Sequence, residues 1–264
     1  MTRRVVESTD TGAGVTPRDD VLVVTGLTGP VGQPAIHDVS FSVPRGGIRV
    51  VLGAMHSGKS LLLRLILGLQ RSLQGRIVID GTAFDATAPN EEALRRVRRK
   101  VGVVFDSSAL VSRLTLIENV ELPLVEHTHA RDGDARSIAR ELLREVGVHG
   151  DGERTPEVVS RLDRRRTALA RALILDPVLL LIDEPGHGLD ADAAAELDDT
   201  LDRLLEHYRC AALICSQEVR YVFRFPDAVS VLAEGSLVDH GNLEQLRHSR
   251  NEMVRRLVDR RGAA

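Results

Sequence analysis

The sequence predicts an α/β chain with a mostly parallel sheet, and three observations predict it. An apolar run at 48–52 passes through a glycine-bearing loop at 53–58 into a second apolar run at 61–67. Short apolar runs recur at 178–182 and 211–215, each of strand length and bounded by turn residues or charge. Between such runs lie segments of helical spacing, and strands that alternate with helices pair in parallel. The chain has 264 residues, 43% of them hydrophobic and 28% charged, an ordinary globular balance with room for a sizeable core.

Taken in order, residues 1–20 are polar, carry no apolar core of a secretory signal and read as a disordered tail. Strands and hairpins lead up to the loop at 53, and a second sheet segment follows at 76–81. The basic run 95–100 reads as a solvated face. Residues 137–146 have helical periodicity with an apolar stripe. Residues 251–261 form a basic amphipathic helix, with docking on a partner preferred over plain solvation. No apolar run approaches the roughly 18 residues of a membrane span. A net charge of -3 and a pI of about 6.3 give no reason to expect nucleic acid. Two cysteines, Cys210 and Cys215, make neither a disulfide framework nor a zinc quartet and suit a reducing cytoplasm. Of 35 basic residues only Lys59 and Lys100 are lysine, so a specific need for a compact ammonium is expected where one persists.

Lys59 lies in Gly53-Ala54-Met55-His56-Ser57-Gly58-Lys59-Ser60, which fits G-x-x-x-x-G-K-[ST]. Glycines let backbone N–H groups turn onto phosphate oxygens, and a helix N-terminus adds partial positive charge. Lys59 is expected on the β- and γ-phosphates of ATP and Ser60 on Mg²⁺; Leu61 completes the nucleotide-binding stretch. The apolar strand at 178–182 ends in Asp183-Glu184-Pro185. Asp183 is expected to reach Mg²⁺ through water, and Glu184 to polarise the attacking water.

With these motifs the sequence resembles the ATP-binding subunits of ABC transporters over about residues 21–245. Gly53 and Asp183 lie 130 positions apart, room for that family's inserted helical subdomain. The resemblance implies a P-loop NTPase core of ABC ATPase type, with an antiparallel β subdomain, a helical subdomain at about 107–165 and a C-terminal helix within 246–264. Residues 101–105, 108–110 and 114–120 look like the Q-loop region, Gly188-Leu189-Asp190 like the D-loop, and 229–238 like the closing hairpin. Leu122-Pro123-Leu124-Val125-Glu126-His127-Thr128 is similar to the ATPases of Mce/Mla-type bacterial lipid transporters. The resemblance further implies a separate permease in the membrane, touched around 107–124, and a homodimer or a heterodimer with another ATPase chain. It places the chain on the cytoplasmic face of the membrane. A soluble ABC protein of DNA repair or translation fits less well, since neither a second cassette nor a long coiled coil is present.

Four positions depart from the family pattern. The signature run is Val159-Ser160-Arg161-Leu162-Asp163, so Ser160 stands but both glycines are gone. Arg161 reads as part of a solvated basic helix start with Arg164–Arg166, the alternative being a guanidinium aimed at phosphate in trans. The Q-loop position is Asp106, a further candidate Mg²⁺ ligand that would repel the γ-phosphate. The switch-histidine position is Gln217, which cannot carry positive charge. No aromatic stands at 28–31 to stack on adenine. His187 reads as an exposed loop histidine, with phosphate sensing as the alternative. These changes imply slow or impaired hydrolysis, ordinary turnover remaining open because Glu184 is present. A nucleotide-binding regulatory or structural subunit is the competing reading.

Overall fold

The computed structural model describes residues 20–30, 35–127, 132–150, 152–225 and 227–259. The tail expected before Asp20, Val31 of the adenine position and the chain beyond Asp259 lie outside them. Two sheets organise the rest. β1 (Asp20–Gly29), β2 (Ile36–Pro44), β4 (Gln74–Ile79) and β5 (Thr82–Asp85) form an antiparallel sheet in the order β2-β1-β4-β5. The second sheet contains β3 (Ile48–Leu52), β6 (Val101–Val104), β7 (Leu179–Asp183), β8 (Ala211–Ser216), β9 (Val229–Ala233) and β10 (Ser236–Gly241), in the order β10-β9-β3-β8-β7-β6. All its pairings are parallel except the β9–β10 hairpin. Every residue of β7 and β8 is buried, which explains their unbroken apolar runs.

α1 (Lys59–Ile66) lies between the sheets. Leu61, Leu62, Leu63, Leu65 and Ile66 are buried in one cluster with Val24 of β1, Ile77 of β4 and Leu213 of β8. A helix enclosed by two sheets needs apolar residues nearly all round; Arg64 is the exposed exception. α2 (Glu91–Arg98), capped by Asn90, buries Leu94 and Val97 and turns Arg95 and Arg96 to solvent.

On the other face of the parallel sheet lie α3 (Leu116–His127), α4 (Asp132–Glu145), α5 (Arg161–Leu173) and α6 (Ala191–Tyr208). α4 buries Ala135, Ala139, Leu142 and Leu143, as its stripe predicts. The loop before α3 is pinned by fully buried Asn119. Its amide donates to the carbonyls of Val111, Leu114 and Thr115, and its oxygen accepts from Val111 N–H. α7 (Arg220–Arg224) and α8 (Leu243–Arg247) lead to α9 (Glu252–Asp259). Val254 and Val258 of α9 are buried in the chain's own core, while Met253 of the same helix is exposed. Among the described residues no helix is long and apolar enough to cross a membrane.

Candidate functional site

Parallel strands end at a common edge, and four of them bring their C-terminal ends together here. β3 opens into the loop at 53, β6 into Asp106, β7 ends on Asp183, and β8 ends on Ser216 next to Gln217. A cleft of about 590 Å³ lies at this edge, its wall including His56, Lys59, Ser60, Asp106, Glu184 and Gln217.

The loop needs its glycines. A Cβ on Gly53 would stand 2.6 Å from the Leu232 carbonyl oxygen and closer still to Ser57 Oγ. Gly58 turns the chain into α1 with φ at 106°, a conformation side chains rarely adopt. No side chain caps the N-terminus of α1, whereas α2, α5, α6 and α8 all carry side-chain caps. The first N–H groups of α1 are thus left for an anion. Lys59 is 5% exposed and donates to the carbonyls of Gly53 (2.8 Å) and Ala54 (2.9 Å). Its Nζ also pairs with Glu184 Oε1 at 3.0 Å.

Asp183 Oδ1 is buried with no hydrogen-bond partner. Burial pushes the Asp183 carboxyl up, and the charges of Glu184 and Asp106 add to this against the pull of the Ser60 hydroxyl and Lys59. An orphaned carboxylate oxygen beside a hydroxyl is an oxygen donor set that suits Mg²⁺. Glu184 follows with φ at 45°, its N–H on the Cys215 carbonyl. Its Oε2 accepts from Ser216 Oγ (3.1 Å) and from Gln217 N–H (3.0 Å). The switch-position residue therefore meets Glu184 through its backbone, at the wall of the cleft.

Three expectations are revised. Asp106 does not stand alone as the metal-ligand expectation had it, because its Oδ1 receives both Arg165 Nη2 and His187 Nδ1 at 2.9 Å. Burial raises its pKa, but the hydrogen bonds and charges of His187 and Arg165 outweigh that and hold it below the usual carboxylate range. The run Arg164–Arg166 is not a solvated face: the Arg165 side chain is only 4% exposed and also donates to the carbonyls of Phe105 (2.8 Å) and His187 (3.2 Å). His187 is half exposed as expected, yet it is not a bare loop histidine.

Ser160, Arg161 and Asp190 lie outside the cleft wall. Ser160 caps α5, its Oγ accepting from Asp163 N–H, and Arg161 donates to the Gly188 carbonyl of its own chain. Asp190 caps α6 through Ala193 N–H. Leu61 is buried at the cleft wall. Pro30, Met55, Gly58, Arg64, Gln70 and His187 also line the cleft, and the sequence did not single out Pro30, Arg64 or Gln70. None of the seven aromatic side chains of the chain lines it.

The ABC transporter family model matches residues 36–187. The "probable ribonucleotide transport ATP-binding protein mkl" of Mycobacterium leprae is 35% identical over 251 residues, 95% of this chain and 72% of that protein. The "intermembrane phospholipid transport system ATP-binding protein MlaF" of Haemophilus influenzae is 32% identical over 236 residues, 89% of each chain. Among solved structures, the dimeric post-hydrolysis state of the ATP-binding cassette MJ0796 bound to ADP and Pi superposes with a TM-score of 0.73. It is 26% identical and covers 84% of this chain and 98% of its own.

Proposed function

The chain belongs to the ABC transporter ATP-binding family, and on that premise we propose that it binds MgATP for a separate membrane permease whose cargo is lipid. The observation that carries the ATP site is the convergence of Lys59, Ser60, Asp183 and Glu184 at an uncapped helix N-terminus. The loop amides and Lys59 would take the β- and γ-phosphates. Ser60 and Asp183 would hold Mg²⁺, which supplies charge neutralisation on the phosphates. Glu184 would orient and deprotonate the attacking water. The lipid reading is supported by the likeness to MlaF, which spans nearly all of both chains. The surface around 107–124 is the permease contact in this reading, at the cytoplasmic face of the membrane.

Turnover by this chain alone is slow in our reading. Both Glu184 oxygens are already engaged, by Lys59 on one side and by Ser216 and Gln217 N–H on the other. Ser160 and Arg161, which a partner's site would need, are turned onto their own chain. Losing one preorganised donor from such a site costs roughly 10²–10³ in rate. The same two contacts favour a second reading, a nucleotide-binding regulatory or structural subunit. In a heterodimer an ordinary ATPase partner would complete one site; in a homodimer both sites carry the altered signature. Calorimetric MgATP affinity measured beside turnover, with Glu184→Gln as control, tests the assignment. Binding with turnover above the control supports the ATPase. Binding with turnover equal to the control supports the regulatory subunit, and no binding rejects both. Co-purification with a permease that moves phospholipid between vesicles tests the cargo.

A further inference from the structure

One corner of the cleft is built by three side chains from three elements. Asp106 stands just beyond β6, Arg165 in the first turns of α5, and His187 in the loop after β7. Arg165 anchors the group: nearly buried, it donates to the Phe105 carbonyl, the Asp106 carboxylate and the His187 carbonyl. Asp106 in turn holds His187 Nδ1 at 2.9 Å. A further backbone bond, His187 N–H to the Glu184 carbonyl at 3.1 Å, ties this loop to the end of β7. The imidazole is therefore fixed at one nitrogen, with Nε2 its remaining polar atom. It lines the same cleft as Lys59, Ser60 and Glu184 and is 48% exposed, so a bound anion can reach it.

We propose that His187, oriented by Asp106 and Arg165, contacts the terminal phosphate of the bound nucleotide and makes the cleft distinguish a triphosphate from a diphosphate. The inference rests on the ATP reading above. With a proton on both ring nitrogens, an imidazole held by a carboxylate on one side presents its second N–H to a phosphate on the other. Asp106 and Arg165 are positioning residues in this scheme. Asp106 is a poor phosphate neighbour by charge, but it serves as the fixed partner of the ring. Gln217, across the cleft, offers its N–H to Glu184 instead.

The test is calorimetry on the full chain with Mg²⁺ and either a non-hydrolysable ATP analogue or ADP, for the wild type, His187→Ala and His187→Gln. The expected result is a roughly ten- to hundredfold loss of analogue affinity in His187→Ala, the range for a hydrogen bond to a charged group. ADP affinity stays within about twofold, since that ligand lacks the phosphate concerned. His187→Gln, which retains an amide donor of similar reach, recovers part of the preference. An unchanged triphosphate-to-diphosphate ratio in His187→Ala overturns the proposal, as does a loss that falls equally on both ligands. If the wild type binds neither ligand, the ATP reading itself fails; if it binds both and the ratio is insensitive to residue 187, only this inference fails.

Discussion

Replacing Asp183 by Asn should stabilise the ligand-free protein while removing its response to Mg-nucleotide. Asp183 is 3% exposed, and its Oδ1 has no hydrogen-bond partner. A buried, unsatisfied acceptor costs about 1–3 kcal/mol, and more when charged. Burial raises the folded-state pKa above the unfolded value. The native state then keeps a proton that the unfolded chain has released, so stability falls as pH rises from near 4 through the raised folded value. Above that window the penalty is complete; Asn, being neutral, escapes the part that comes from burying a charge, though its amide still lacks a hydrogen-bond partner. For a chain of this size 1 kcal/mol shifts Tm by roughly 2–4 °C, so Asp183→Asn should melt higher near neutral pH by about that much for each kcal/mol of charge burial it relieves. The gain should shrink toward pH 4. Saturating MgATP should raise the wild-type Tm, since ligand at a hundred times its Kd adds about 2.7 kcal/mol. The variant should lose that rise. Thermal unfolding followed by circular dichroism, with and without MgATP, reads both effects. An Asp183→Asn protein that melts at or below the wild type without ligand would refute the claim that this carboxylate is held ready, unpaired, for a cation.

Arg165→Met removes the donor of two carbonyls and one carboxylate. Breaking a buried pair costs about 3–5 kcal/mol, trimmed to about 2–4 because Asp106 is partly exposed, and urea unfolding checks it. Gly53→Ala puts a Cβ 2.6 Å from the Leu232 carbonyl oxygen, so the loop must shift; calorimetry should show MgATP binding at least tenfold weaker. Asn119→Ala leaves three carbonyls and one N–H without their side-chain partner. A destabilisation of about 2–3 kcal/mol is expected, with faster amide exchange at Val111, whose N–H bonds the Asn119 side chain.

Much of the fold was legible because local pattern and tertiary role coincide. The run at 48–52 is β3, and the runs at 178–182 and 211–215 lie within one residue of β7 and β8, since strands buried on both faces must be apolar throughout. The Gly-Lys-Ser order located the loop because its chemistry is carried by consecutive residues. Charge pattern misled at Arg164–Arg166. A basic triplet looks solvated on paper, and only the approach of β6 and the loop after β7 shows Arg165 spending its donors inward. The partner of His187 is illegible in the sequence for the same reason: Asp106 is 81 positions away.

By itself the sequence determined the α/β class, the strand cores, the glycine loop at 53–58 and the acidic pair, because each is written within a few neighbouring residues. The tertiary structure alone decided what each charge faces. The Lys59–Glu184 pair and the Arg165–Asp106–His187 group join residues 22 to 125 positions apart. Hydrogen bonds act over about 3 Å of space, and chain separation says nothing of that distance until the parallel strands have brought their ends to one edge.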